Sequence, residues 1–164
     1  MTTGNLPSEQ WDTIQRYVGE FPVKISALAK ELGLSIKLAT LDPGISGEIR
    51  PDQKAPSGYK IRINRHESKN RQRFTAAHEV AHYLLHRNLI GDGLSDTVLY
   101  RSRLSNKIEA QANGFAANLL MPRDLIEQQL REHVDIDEDQ LVNVLAEKFE
   151  VSPAAMKIRL GVES

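Results

Sequence analysis

The sequence predicts an α+β fold, a small antiparallel sheet of about three strands packed with a mostly helical core. Three observations carry that expectation. Residues 35–64 alternate apolar and polar side chains between turn-forming dipeptides, the period of half-buried strands. From residue 68 to the end the apolar period changes to near 3.6, the signature of amphipathic helices. No internal repeat, low-complexity tract or long linker interrupts the 164 residues, a length suited to one core.

In chain order, residues 9–20 place Trp11, Ile14, Tyr17 and Val18 at spacings of three and four, which predicts a first helix. A second follows at ISALAKELG, where Ile25, Leu28, Ala29 and Leu32 share a face and Gly33 ends it. SIKLATL, SGEIR and GYKIRIN predict three strands, separated by Asp-Pro-Gly and Pro-Ser-Gly turns. Helices are expected near residues 68–88, 105–121, 123–133, 137–149 and 152–160, with Pro122 a break and Ser152-Pro153 a start signal. Residues 91–105, GDGLSDTVLYRSRLS, read as a loop.

Composition narrows the function classes. Hydrophobic residues make up 40% and charged residues 26%, as in an ordinary globular chain rather than a disordered one. No run approaches the roughly 18 apolar residues of a membrane span, and the N-terminus has no basic and apolar leader, so a cytoplasmic protein is expected. With no cysteine, any metal must take imidazole and carboxylate ligands. The net charge of −1 argues against coating nucleic acid by bulk electrostatics, although residues 60–73 hold six bases and one acid.

The segment RFTAAHEVAHYLLHR carries the chemistry. His78, Glu79 and His82 spell HExxH inside a predicted helix, and side chains four residues apart stand one above the other on one face. Two imidazoles can therefore reach one ion, while Glu79 sits at the edge of the same cavity as a general base. The stripe Phe74, His78, Ala81, His82 and Leu85 turns the pair toward an apolar interior. A hydrolytic zinc site needs a third protein ligand and an open position. Glu109 is the candidate: it is the only carboxylate between Asp96 and Asp124 and shares a small-residue stripe with Ala112, Asn113 and Ala116. Asn113, one turn later, could hold a ligating imidazole by its other ring nitrogen. His86 continues the series but lies about 12 Å along an unbroken helix from His78, so it reads as structural or supporting rather than ligating. His66 and His133 read as surface residues.

RFTAAHEVAHYLLH, the later EAQANGFAANLLMP and the preceding ISGEIR and YKIRIN segments resemble the ImmA/IrrE metallopeptidases. The likeness covers roughly residues 23–125 and extends loosely through LAEKFEVSPAAMKIRL. It implies a minimal thermolysin-like core with one zinc ion per chain, held by residues matching His78, His82 and Glu109, with Glu79 as the catalytic acid-base group. It further implies cleavage of a helix-turn-helix repressor encoded nearby, derepressing stress, DNA-damage or phage-defence genes. On that reading the chain is one metallopeptidase domain over residues 1–164, divided into a helical extension (1–22), a catalytic core (23–125) and helix-turn-helix-like C-terminal helices (126–164).

Substrate is expected to pair with a strand such as residues 59–64, and Tyr100 or Arg103 could stabilise the oxyanion. The rival class is a DNA-binding transcriptional regulator with a structural metal site, because ISALAKELGLSI and LVNVLAEKFEVSPAAMKIRLG each pair two helices across a short turn. Only Lys157 and Arg159 are cations on the last helix, too few for strong phosphate contact. A single-stranded nucleic acid effector could use the basic segment 60–73.

Overall fold

A computed structural model of the chain describes residues 6–91, 94–95 and 103–162. Among them the order is α1 (Ser8–Tyr17), α2 (Ile25–Glu31), β1 (Ser35–Ala39), β2 (Gly47–Pro51), β3 (Tyr59–Asn64), α3 (Lys69–Leu85), β4 (Leu94–Ser95), α4 (Arg103–Leu120), α5 (Arg123–Glu132), α6 (Glu138–Phe149) and α7 (Pro153–Leu160). This is the expected α+β architecture.

The sheet differs from the expected antiparallel one. Its order is β1-β3-β2-β4, with β2 antiparallel to both β3 and β4 but β1 parallel to β3. β1, β2 and β3 still alternate in direction, but β3 inserts between its predecessors, so β1 meets a strand running its own way. Asn64 fixes this exchange: its side-chain amide donates to the carbonyls of Leu41 and Ile45, tying the β1–β2 connection across the end of β3. A consequence is that both edges of β3 are occupied, so the expected pairing of substrate with residues 59–64 is excluded. The segment expected to be all loop also supplies β4, paired through Glu48 with Ser95 and Ile49 with Leu94.

One face of the sheet carries Ile49, Ile61 and Ile63, all buried, and α3 lies across it. Gly47 permits the approach, since a Cβ there would overlap Thr75 Cγ2 of α3. On its other side α3 packs along α4, where Ala77, Ala81, Ala112 and Ala116 are fully buried and let the helices come close. Ile14 of α1, Leu28 of α2 and Phe149 and Met156 of α6 and α7 join the same hydrophobic cluster. The helix starts follow the expected chemistry: Ser68, Asp137 and Ser152 accept from Arg71, Gln140 and Ala155 amides.

Candidate metal centre

The HExxH helix is the most buried element that carries charge. His78, Glu79, His82 and His86 are 3%, 1%, 2% and 4% exposed. Burying unsatisfied polar groups costs several kcal/mol, so the partners of these side chains decide what the interior is built for.

Three of the atoms converge. His78 Nε2 lies 3.0 Å from Glu109 Oε2, His82 Nε2 lies 2.9 Å from Glu109 Oε1, and the two Nε2 atoms are 3.0 Å apart. The α3 rings meet edge to face, with centroids 4.6 Å apart, and Glu109 reaches them from α4. Among the described residues this trio is the one group of His, Asp or Glu donors close enough together to hold an ion. The outer ring nitrogens face away from the convergence. His78 Nδ1 lies 2.8 Å from Asn113 Oδ1. His82 Nδ1 lies 3.0 Å from His86 Nδ1, and His86 Nε2 lies 2.8 Å from Gln111 Oε1.

These contacts set the tautomers of neutral rings. Asn113 Oδ1 can only accept, so His78 holds its hydrogen on Nδ1 and offers a lone pair at Nε2. Gln111 Oε1 can only accept, so His86 donates from Nε2 and accepts at Nδ1; His82 then donates from Nδ1 and also offers a lone pair at Nε2. Two imidazole lone pairs and a carboxylate aimed at one point repel one another unless a cation lies between them. A tetrahedral zinc with bonds of about 2.0–2.1 Å separates its ligands by about 3.3 Å, so the trio needs to open by only a few tenths of an ångström.

Charge state agrees with that fit. Burial pushes the His82 imidazole below its ordinary pKa, toward the neutral form. Burial alone would raise the Glu109 carboxyl, but the His78 and His82 ring edges outweigh it wherever they carry a proton toward the carboxylate, holding the group below the ordinary carboxylate range; with both Nε2 atoms bare, a cation at the same point takes over that role. Neutral imidazoles and an ionised carboxylate are the forms that bind metal. The Glu109 side chain is 22% exposed, so the convergence is reached from solvent on the α4 side.

The model of the IrrE N-terminal-like domain, a peptidase family, matches residues 29–161. The chain belongs to the ImmA/IrrE family of metallopeptidases. Metallopeptidase ImmA of Bacillus subtilis (strain 168) is 33% identical over 89 residues, 54% of this chain and 50% of that protein. Radiation response metalloprotease IrrE of Deinococcus deserti is 43% identical over 79 residues, 46% of this chain and 27% of that protein. The matches thus span half or less of these relatives' lengths. A solved structure titled Mycobacterium tuberculosis transcriptional regulator shares the fold at TM-score 0.60 and 15% identity, covering 96% of this chain and 48% of that one. ImmA/IrrE membership implies a metal, and the trio of His78, His82 and Glu109 is a site able to hold it.

Other expected residues fall out as follows. Helix α3 ends at Leu85 rather than near residue 88, because His86 leaves helical dihedrals (φ −131°, ψ 31°). Its ring thereby turns to support His82 instead of the ion. Gln111 was not anticipated; its only trace in the sequence is that His86, four residues after His82, needs a partner from α4. His66 is exposed, while His133 is half-buried, its Nδ1 2.9 Å from the Gln129 carbonyl at the end of α5. Tyr100 lies outside the described residues, and Arg103 is the first residue of α4, two residues earlier than that helix was expected to begin.

Proposed function

We propose that this chain is a zinc-dependent endopeptidase whose metal ligands are His78, His82 and Glu109 and whose general base is Glu79. The observation that carries the reading is the convergence of two Nε2 atoms and one carboxylate within 2.9–3.0 Å, with both outer ring nitrogens held from behind. Bound zinc supplies Lewis acidity toward the scissile carbonyl and lowers the pKa of water toward neutrality. Glu79, 1% exposed and next to His78 in sequence, takes the proton of the attacking water and returns it to the leaving amine. Asn113 and the His86–Gln111 pair keep both ligating rings in one tautomer and orientation.

For the substrate, the resemblance to ImmA and IrrE supports a helix-turn-helix repressor encoded nearby, with derepression of stress, DNA-damage or phage-defence genes as the outcome. The chain's site lies in a fold in which no described helix is long and apolar enough to cross a membrane, which suits a cytoplasmic partner. The test is incubation of the metal-loaded chain with the neighbouring repressor, followed by mass spectrometry. Two fragments whose masses sum to that of the intact repressor plus one water, absent with Glu79→Gln, are expected; an intact repressor under zinc-replete conditions overturns the substrate.

The regulator reading receives less support from α6 and α7. On α7 the Arg159 guanidinium donates to the Met121 carbonyl, 3.0 Å away, and Ile158 is the exposed side chain beside it, at 82%. An apolar residue and an occupied cation are a poor phosphate-binding surface. The basic segment 60–73 is likewise divided: Arg62 pairs with Glu48, Arg71 with Glu67, and Lys69 and Arg73 with Glu150. A single-stranded nucleic acid effector therefore meets two elements facing different partners rather than one continuous basic stripe.

A further inference from the structure

A second concavity lies on the other side of α3 from the metal centre. It is a groove of about 430 Å³ between α2, β1 and the start of α3, within the range of small-molecule sites. Its floor is aliphatic: Ile25, Ile63 and Ala76 lie buried beneath it, while the half-buried Ile36 and the exposed Leu38 present apolar surface to it. Its polar wall is one-signed: Lys24, Lys30, Lys37, Lys69 and Arg73 line it, and no carboxylate does.

The five cations divide into two groups. Lys69 and Arg73 share Glu150, at 3.3 Å and 3.6 Å, and the Arg73 guanidinium also donates to the carbonyls of Val23, Phe149 and Glu150. These two belong to the frame joining α3 to α6. Lys24, Lys30 and Lys37 have no ion pair among the described residues. The acid next to Lys30, Glu31, is bound instead by Arg16 and Tyr17. Like charges gathered around a low-dielectric floor focus a positive potential into the groove, which an anion relieves.

We infer that this groove binds a nucleoside polyphosphate, with the base on the aliphatic floor and the phosphates on Lys24, Lys30 and Lys37. Both halves of that chemistry are required by the lining. A bare anion leaves the side chains of Ile36 and Leu38 in water, and a neutral apolar ligand leaves three lysines uncompensated. Lysine suits the phosphate end, as a compact point charge that needs no fixed fork geometry. Gln72, Arg73 and Ala76 in the wall belong to the helix that carries His78 and His82 further along, so the ligand would sit on the scaffold of the metal site without touching it.

The test is calorimetric titration of the whole chain with ATP and with GTP in saturating magnesium, set beside inorganic tripolyphosphate and an oligothymidylate of about a dozen residues. Binding of at least one nucleotide is expected in the range of tens of micromolar, weakened about tenfold or more by Lys30→Glu/Lys37→Glu. Lys54→Glu, in the β2–β3 turn outside the groove, should leave it unchanged. If the double reversal shifts the thermal midpoint, Lys30→Gln/Lys37→Gln replaces it, with a smaller loss in the same direction. The inference is overturned by absence of nucleotide binding, by affinity indifferent to both lysine pairs, by tripolyphosphate binding as tightly as the nucleotides, or by a preference for the oligonucleotide over either of them.

Discussion

The α3–α4 pair and the α6–α7 pair are both partnerships of consecutive α-helices, yet they use polar residues in opposite ways. Between α3 and α4, His78, Glu79, His82 and His86 lie almost wholly inside, at 1–4% exposure, and the three histidines contact one another and Glu109, Asn113 and Gln111. Within α6 and α7 the buried residues are Val142, Leu145, Ala146, Phe149 and Met156, all apolar. There the polar groups sit at helix ends: Asp137 and Ser152 cap N-termini, and Glu150 adopts the left-handed conformation (φ 54°) that closes α6. A folded chain gains nothing in stability by burying titratable groups that apolar side chains could replace. Their presence between α3 and α4 marks a site, whereas α6 and α7 make a supporting surface.

The largest effects should come from breaking the first pair at its centre. Glu79→Gln is expected to retain the metal and to lower cleavage by about 10²–10⁴-fold, the usual contribution of a positioned general base. His82→Ala should lose metal and cleavage together, since the remaining two donors leave an incomplete shell. Metal analysis of the purified variants beside a cleavage assay separates the two; undiminished cleavage in the Glu79 variant removes its assigned role. Next in size, stripping the metal with a chelator should lower stability by about 3 kcal/mol relative to protein with free zinc a hundredfold above its dissociation constant. Differential scanning calorimetry reads this, and a midpoint indifferent to zinc would mean that the trio does not bind it in the folded state.

A tenfold to hundredfold loss of zinc affinity is expected for Gln111→Ala, through release of His86 and hence of His82. Gln111 is exposed, so the substitution opens no cavity, and competition with a chromophoric chelator gives the affinity directly. Long-range nitrogen correlations of the imidazoles give a readout that a merely structural residue would not move. In the parent chain His82 should carry its hydrogen on Nδ1; in the variant the two tautomers should mix. An unchanged tautomer with unchanged affinity rejects the relay.

How much of this was legible in the sequence depended on range. The HExxH spacing is local, since residues four apart on a helix must share a face, so His78 and His82 needed no tertiary information. Glu109 was reachable because its surroundings, Ala112 and Ala116, declare a close-packed face and no other carboxylate is near it in sequence. The strands were legible from alternation, as in Tyr59, Ile61 and Ile63, but their order was not. Nothing in β1 or β2 records that β3 lies between them; the Asn64 contacts that tie the β1–β2 connection across the end of β3 join residues about twenty apart in sequence. The end of α3 was hidden for a related reason, because neither glycine nor proline marks it, and His86 leaves the helix toward a partner on α4.

The smallest effect tests the other side of the comparison. Ser152 accepts from the Ala155 amide at 3.0 Å, so Ser152→Ala removes a helix cap worth about 1 kcal/mol. In a chain of this size that lowers the melting midpoint by about 2–4 °C. If α7 is only a supporting surface, cleavage at 25 °C and zinc affinity should match the parent, because the cap touches none of the donors and the folded fraction at that temperature scarcely changes. A loss of cleavage much larger than the change in folded fraction, with metal still bound, would instead place α7 in contact with the substrate. Ser152 lines a cavity of about 290 Å³ with Phe74 of the ligand helix and the exposed Ile158, so that contact has a physical route. The division between a chemical pair and a structural pair would then give way to one in which α3 holds the metal on one side and, with α7, grips the substrate on another.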